Sequence, residues 1–320
     1  MRNLTMLTDL YELTMMYGYW KKGMGKNRAV FDMFYRATSE ITAYAIAAGL
    51  EQVIEYVNNL HFAEEDIANL RSLNLFDESF LDYLRNFKFT GDIMAVPEGT
   101  IVFSYEPIVR VTAPIMEAQL IETALLNIVN HQTLIATKAG RVVQAADGGA
   151  VLEFGLRRAQ GPDAGIYGAR AAVIAGCQST SNVLTGEMFG IPLGGTHAHS
   201  WVMSFPDELT AFRAYAEIFP TNCMLLVDTY DTLGSGMPNA IKVFGELRER
   251  GYEPIGIRLD SGDLAYLSRE CRRMLDEAGY PNAKVCASGD LDEEIIWDLK
   301  AQGAAIDVWG VGTKMITSQD

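Results

Sequence analysis

Along the first 90 residues, apolar positions recur at three- and four-residue steps, the rhythm of amphipathic helices. One such run covers Ile41–Leu60, and the pattern resumes through Glu64–Leu73 and Glu78–Phe87. The texture changes at Gly91. Gly91–Thr112 holds short β-rich runs, Ile93–Val96, Ile101–Ser104 and Ile108–Thr112, divided by Pro-Glu-Gly and Glu-Pro turns. Glu117–Thr137 returns to helix. Residues 1–135 therefore predict an N-terminal α+β domain with a small sheet.

From about residue 150 the pattern becomes regular. Apolar strand candidates fall at Ala150–Phe154, Ala175–Ser179, Ile191–Thr196, Cys223–Asp228, Pro254–Asp260, Ala283–Ser288 and Ile306–Val311. Helical stretches occupy most of the gaps: Ala164–Val173, Asp207–Ile218, Pro238–Glu249, Asp263–Ala278 and Asp292–Gln302. Repeated β–α units of this length specify a parallel sheet with helical cover, either open or closed into a barrel. Each of the seven strand ends delivers polar or glycine chemistry. An open sheet gathers its ligand site from a few strands at a switch point, whereas every strand of a barrel ends at one mouth. An α/β barrel over residues 136–320 is the better account. Its closing strand is then missing, irregular, or beyond Asp320.

Composition narrows the function classes. The 320 residues are 49% hydrophobic, enough for packed cores. No apolar run reaches the roughly 18 residues that a membrane span needs, and Asp9 and Glu12 interrupt any leader-like start. A soluble, cytoplasmic protein is the expectation. With 26 basic and 41 acidic residues the net charge is −15, which argues against a nucleic-acid partner. An anionic ligand would need a local cluster of cations against that mean field. Cys177, Cys223, Cys271 and Cys286 form no CxxC pair and read as reduced core thiols.

Several strand ends carry candidate chemistry. In IRLDSGD (257–263), Arg258 and Asp260 share a strand face, suited to an anion and a sugar diol, ahead of a helix start near Asp263. The plain alternative is an ion pair beside an ordinary helix cap. In GGTHAHSW (194–201), His197 and His199 are two apart. They could be a metal pair, although no third ligand presents itself, or structural imidazoles, or one catalytic imidazole held by Asp228 at the next strand end. Spacing does not choose among the three. EFGLRR (153–158) sets Phe154 at a strand end before two cations, a stacking surface beside anion-binding guanidiniums, or else core and surface. WGVGTK (309–314) suits a backbone phosphate cradle, or a simple turn. No P-loop or GxGxxG sequence occurs.

Seven segments together carry a resemblance that covers essentially the whole chain. TDLYELTM (8–15), EFGLRR, GTHAHSW, VDTYDT (227–232), IRLDSGDL (257–264), ASGDLDE (287–293) and GVGT (310–313) stand in the order found in nicotinate phosphoribosyltransferases, which the chain thus resembles. The resemblance implies an irregular α/β barrel of the type II phosphoribosyltransferase kind beside an α/β sandwich domain, in a homodimer. It implies that nicotinate and phosphoribosyl pyrophosphate become nicotinate mononucleotide and pyrophosphate, with Mg²⁺ and coupled ATP hydrolysis, in NAD salvage. By the same resemblance His199 is the histidine that ATP phosphorylates, Asp228 orients it, and His197 has no assigned role. Phe154 and Tyr11 would sandwich the pyridine ring, with Tyr11 arriving from the partner subunit. Arg258 would meet the ring or its carboxylate, and Asp260 the ribose hydroxyls. Arg157, the turn Ser288–Gly289–Asp290, and Gly310, Gly312 and Thr313 would hold phosphates.

The related nicotinamide enzymes carry an aspartate where this chain matches Ser181. A carboxylate there would repel nicotinate, whereas a hydroxyl can donate to it, so nicotinate is favoured. Rival readings are nicotinamide or quinolinate phosphoribosyl transfer, and a non-catalytic phosphosugar-binding fragment. Members of the family normally continue past the GVGT segment, so a shortened barrel is expected here.

Overall fold

The computed structural model describes residues 3–37 and 43–319. The chain divides into two units, residues 1–137 and 138–320. Among the described residues no helix is long and apolar enough to cross a membrane.

The first unit contains α1 (Leu10–Lys21), β1 (Arg28–Met33), β2 (Tyr44–Ile46), α2 (Leu50–Asn58), α3 (Glu64–Ser72), α4 (Glu78–Arg85), β3 (Asp92–Ala95), β4 (Ile101–Phe103), β5 (Val109–Pro114), α5 (Ile115–Leu120) and most of α6 (Glu122–Ala146). β1, β5 and β3 form an antiparallel sheet in that order, and β2 pairs with β4. The core fills from helix faces at the spacing the sequence predicts. In α4, Asp77 accepts from the Phe80 backbone N–H, and Phe80, Leu81 and Leu84 are fully buried.

Three expectations are corrected here. The helix expected over 41–60 begins only at Leu50, and its first two residues lie outside the described ones. Tyr44–Ile46 is a strand, because Phe103–Ile101 offers it a ladder. Gly49 then turns the chain at φ +105, its α-carbon so close to Ile128 and Val129 that a Cβ would approach them to 3.1 Å. β1 lay in the stretch read as helical. Its positions are mostly exposed on both faces, so it shows no alternation to find. The helix expected to stop at Thr137 runs on to Ala146.

The second unit is an α/β ring. Its strands are β6 (Ala150–Glu153), β7 (Ser179–Thr180), β8 (Met224–Leu226), β9 (Gly256–Leu259), β10 (Lys284–Ser288) and β11 (Val308–Val311). They pair in parallel in the order β7-β6-β11-β10-β9-β8. Covering helices are α7 (Pro162–Ile174), α8 (Val183–Phe189), α9 (His199–Met203), α10 (Glu208–Ile218), α11 (Met237–Glu249), α12 (Leu264–Glu277), α13 (Glu293–Ala301) and the short α14 (Thr313–Ile316). Asp207, Asp263 and Asp292 cap α10, α12 and α13 by accepting from backbone N–H groups.

Ile191–Thr196, expected as a full strand, makes only a single bridge from Leu193 to Thr180. Gly194 N–H donates to Thr180 O and Thr180 N–H to Pro192 O. Pro192 brings no N–H, and the Gly194–Gly195 pair has little tendency to stay extended. This segment nonetheless lies beside β7 and leads through His197 to β8, so it fills the gap in the ring. Parallel pairing puts all the strand C-termini at one end.

Candidate active site at the mouth of the ring

The end of β9 supplies Arg258, which is fixed by hydrogen bonds at all three guanidinium nitrogens. Nε donates to Ser288 Oγ at 2.8 Å, Nη1 to Thr196 Oγ1 at 3.0 Å and Nη2 to Asp260 Oδ1 at 3.0 Å. Its guanidinium carbon lies 5.5 Å from the centre of the Phe154 ring. Ser288 Oγ in turn donates to Asp260. The strand period that aligned Arg258 and Asp260 in the sequence thus brings them together, with β10 contributing the bridging hydroxyl.

Asp228, just past β8, is the hub of the other half. Its side chain is 1% exposed. Oδ1 meets His199 Nε2 at 3.1 Å, while Oδ2 accepts from Asp260 N–H and Ser261 Oγ, each at 2.7 Å. Three donors offset the desolvation of this buried carboxylate. His199 opens α9 with a side chain 38% exposed, so one edge of the imidazole is held and the other is open. One connected network therefore links His199, Asp228, Asp260, Ser288, Arg258 and Thr196.

The glycines let backbone come close to that network. A Cβ on Gly310 would lie 2.7 Å from the Phe154 ring, one on Gly289 2.5 Å from Asp260 O, and one on Gly312 3.2 Å from Phe154 O. Gly289, at φ +104, and Asp290, at φ +47, make the turn after β10 in left-handed backbone. Thr313 begins α14. Arg157 is exposed on the turn after β6, and Ser181 is exposed after β7, where its N–H donates to Glu153 O. Tyr11 belongs to the first unit, on α1, where it is exposed and meets Glu122 at 3.5 Å. His197 is not at the mouth. It is buried in the wall, against the Tyr215 ring at 4.7 Å, and burial pushes its imidazole down to about 4.

Three participants were not singled out in the sequence. Thr196 and Ser261 each adjoin a selected residue and act as second partners to Arg258 and Asp228. Glu153 is fully buried at the end of β6. It accepts from Gly155 N–H and, at 2.5 Å, from Thr180 Oγ1, tying the Phe154 turn to β7. Burial raises its carboxyl above the usual range. A lone carboxylate in the apolar run AVLEF was the available signal. His197 Nε2 meets Leu226 N–H at 3.2 Å and His199 Nε2 meets Asp228 Oδ1 at 3.1 Å, so each imidazole has its own partner.

A parallel α/β ring with a guanidinium, a carboxylate and an imidazole–carboxylate pair where its strands end places the chain in a class of barrel-like α/β proteins. Comparison with known proteins narrows this. The model of the nicotinate phosphoribosyltransferase (NAPRTase) N-terminal domain matches residues 6–130. The chain is 55% identical over 318 residues to a nicotinate phosphoribosyltransferase of Bacillus subtilis, matching 99% of this chain and 64% of that protein. It is 45% identical over 315 residues to one of Mycobacterium tuberculosis, matching 98% of this chain and 67% of that protein. The crystal structure of human nicotinic acid phosphoribosyltransferase superposes with a TM-score of 0.88 at 33% identity, over 95% of this chain and 72% of that one. The chain belongs to the nicotinate phosphoribosyltransferase family. It spans about two thirds of the length of these curated relatives.

Proposed function

We propose that the protein joins nicotinate to phosphoribosyl pyrophosphate, giving nicotinate mononucleotide and pyrophosphate, and that a phosphohistidine at His199 couples this to ATP hydrolysis. The observation that carries the reading is the single network running from His199 through Asp228 and Asp260 to Arg258. Family membership and the names of the relatives support it. NAD salvage and a cytoplasmic setting follow from the same reading.

Both substrates are anions, so Arg258, held beside Phe154, meets the nicotinate ring or its carboxylate, and the Arg157 side takes phosphate. Asp260 accepts from ribose hydroxyls. Phe154 stacks on the pyridine, with Tyr11 of a partner subunit as the opposite face. The fixed ring aims its nitrogen at ribosyl C1, which becomes cation-like as the C1–O bond to pyrophosphate breaks. Mg²⁺ enters as the counter-ion of the pyrophosphate and of ATP, as part of the substrates. The turns at Ser288–Asp290 and at Gly310, Gly312 and Thr313 present small residues and backbone to the phosphates.

The histidine step has a defined nitrogen. Nε2–H donates to Asp228, so Nδ1 carries the lone pair. Nδ1 attacks the γ-phosphorus, the bond to the ADP oxygen breaks and ADP leaves. Water later takes the phosphoryl group as orthophosphate. While it is present, the added charge favours the substrate-loaded form, which is how ATP cleavage enters the binding equilibrium.

The test is mononucleotide formation from nicotinate, nicotinamide and quinolinate in turn, with and without ATP. Nicotinate is expected to be the substrate and ATP to stimulate it. Ser181→Asp should lower kcat/KM for nicotinate about a hundredfold, through like-charge repulsion, while affecting nicotinamide far less. Preference for nicotinamide or quinolinate in the unsubstituted protein refutes the specificity. Absence of product from all three refutes the activity.

A further inference from the structure

Backbone ladders join the ring from β7 round to β8, and Leu193 adds one bridge at the far edge of β7. Among the described residues no ladder joins the 191–197 segment to β8, so a seam is left there. Val227 N–H donates away from it, to Arg258 O at 3.1 Å. Alternation then turns Leu226 N–H toward the seam. A side chain meets it: His197 Nε2 accepts from Leu226 N–H at 3.2 Å. The proton is accordingly on Nδ1, which lies 3.4 Å from Ala198 O. Tyr215 at 4.7 Å and Phe212 at 6.3 Å hold the ring in place.

Two residues further along both segments, His199 Nε2 meets Asp228 Oδ1. Both contacts join positions 29 apart, 197 to 226 and 199 to 228. They are side-chain contacts two residues apart on both segments, made by imidazoles along an edge where no peptide ladder forms. We infer that His197 is a positioning residue: its imidazole replaces the missing backbone pairing at the seam and sets the register in which His199 reaches Asp228. A leucine at 197 leaves Leu226 N–H buried and unpaired and frees the segment that carries His199. A glutamine offers an acceptor at a similar reach. The consequence for turnover rests on the proposed phosphohistidine. The geometry does not.

The test compares His197→Leu and His197→Gln in the full-length protein, each alone and with Asp228→Asn. His197→Leu should lose ATP-stimulated mononucleotide formation by about ten- to a hundredfold, with the rate without ATP nearly unchanged, and His197→Gln should restore most of it. In the Asp228→Asn background His197→Leu should cost little more, because the contact it serves is already weakened. Crystal structures should show His199 out of hydrogen-bond reach of Asp228 in the leucine variant and within it in the glutamine variant. Should the leucine variant not fold, His197→Asn, whose amide is too short to reach, takes its place. Retention of the 3.1 Å contact and of ATP stimulation without an acceptor at 197 overturns the inference. So does full additivity with Asp228→Asn, or a glutamine variant as impaired as the leucine one. If the unsubstituted protein shows no ATP stimulation, the functional reading has failed, and the crystallographic comparison alone decides this inference.

Discussion

Arg258 and His197 are polar groups under opposite demands. Arg258 must stay charged while partly buried, and it does so by spending each nitrogen on a fixed acceptor, two of them neutral hydroxyls. Those hydroxyls hold it in place without neutralising it, while the third partner, the Asp260 carboxylate, pairs with it at 3.0 Å. His197 must stay neutral to accept a hydrogen bond, and burial keeps it so. This has a consequence for stability. Between about pH 4 and its ordinary value of 6.5 the unfolded imidazole takes a proton that the folded one refuses. The contribution is therefore intact above that window and is lost as pH falls through it, by about 2 kcal/mol between roughly pH 7 and 5. His131 is pushed the same way by burial, and Glu153 the opposite way. The measurement is thus a difference. Urea unfolding at the two pH values should show a smaller acid loss in His197→Gln than in the unsubstituted protein, and equal losses contradict the assignment.

The two histidines also mark what was legible at this scale. Their spacing placed them on one face of a continuing strand. The chain instead turns into α9 at His199, so one imidazole enters the wall and the other the mouth. The His199–Asp228 pair was one of three readings that spacing left open, and only the resemblance selected it, because the segment before His199 forms no full strand to fix its direction. Thr196, Ser261 and Glu153 could not be read at all, since each matters only as the partner of a residue distant in sequence.

Among elements, the strand–helix alternation after residue 150 stood out because most of the buried strands are short apolar runs and α10, α12 and α13 start at aspartate caps. The helices expected at 164–173, 207–218, 238–249, 263–278 and 292–302 correspond to α7, α10, α11, α12 and α13 within a few residues. β1 and the 191–196 segment were misread for opposite reasons. The first is a true strand without a buried face. The second is apolar but cannot sustain a ladder, and a side chain completes its pairing. The close approach between β11 and the Phe154 turn gives a prediction at this level. Gly310→Ala places a methyl 2.7 Å from the Phe154 ring and 3.3 Å from Ser288 Cβ. The ring must move, so KM for nicotinate should rise about tenfold while overpacking costs about 1–3 kcal/mol in thermal unfolding. Unchanged KM would mean that the Phe154 face is not used by the substrate.

For the molecule as a whole, a net charge of −15 sits uneasily with the two anionic substrates proposed, so the reading depends on Arg258 and Arg157 as local cations. The proposed homodimer, with Tyr11 entering the partner's site, can be tested by mixing subunits. Tyr11→Ala and His199→Ala proteins should each be nearly inactive in ATP-stimulated transfer. Unfolded together and refolded, random pairing puts one intact site in half of the dimers, restoring about a quarter of full activity. No recovery would place Tyr11 in its own subunit's site or outside any site.

The most direct measurement is phosphoryl labelling. Full-length protein given ATP labelled at the γ-phosphate, then quenched in base, should carry an acid-labile, base-stable phosphate. The label should be absent from His199→Ala and weak in Asp228→Asn. Label that persists without His199, or no label in a protein that consumes ATP as it makes mononucleotide, contradicts the account.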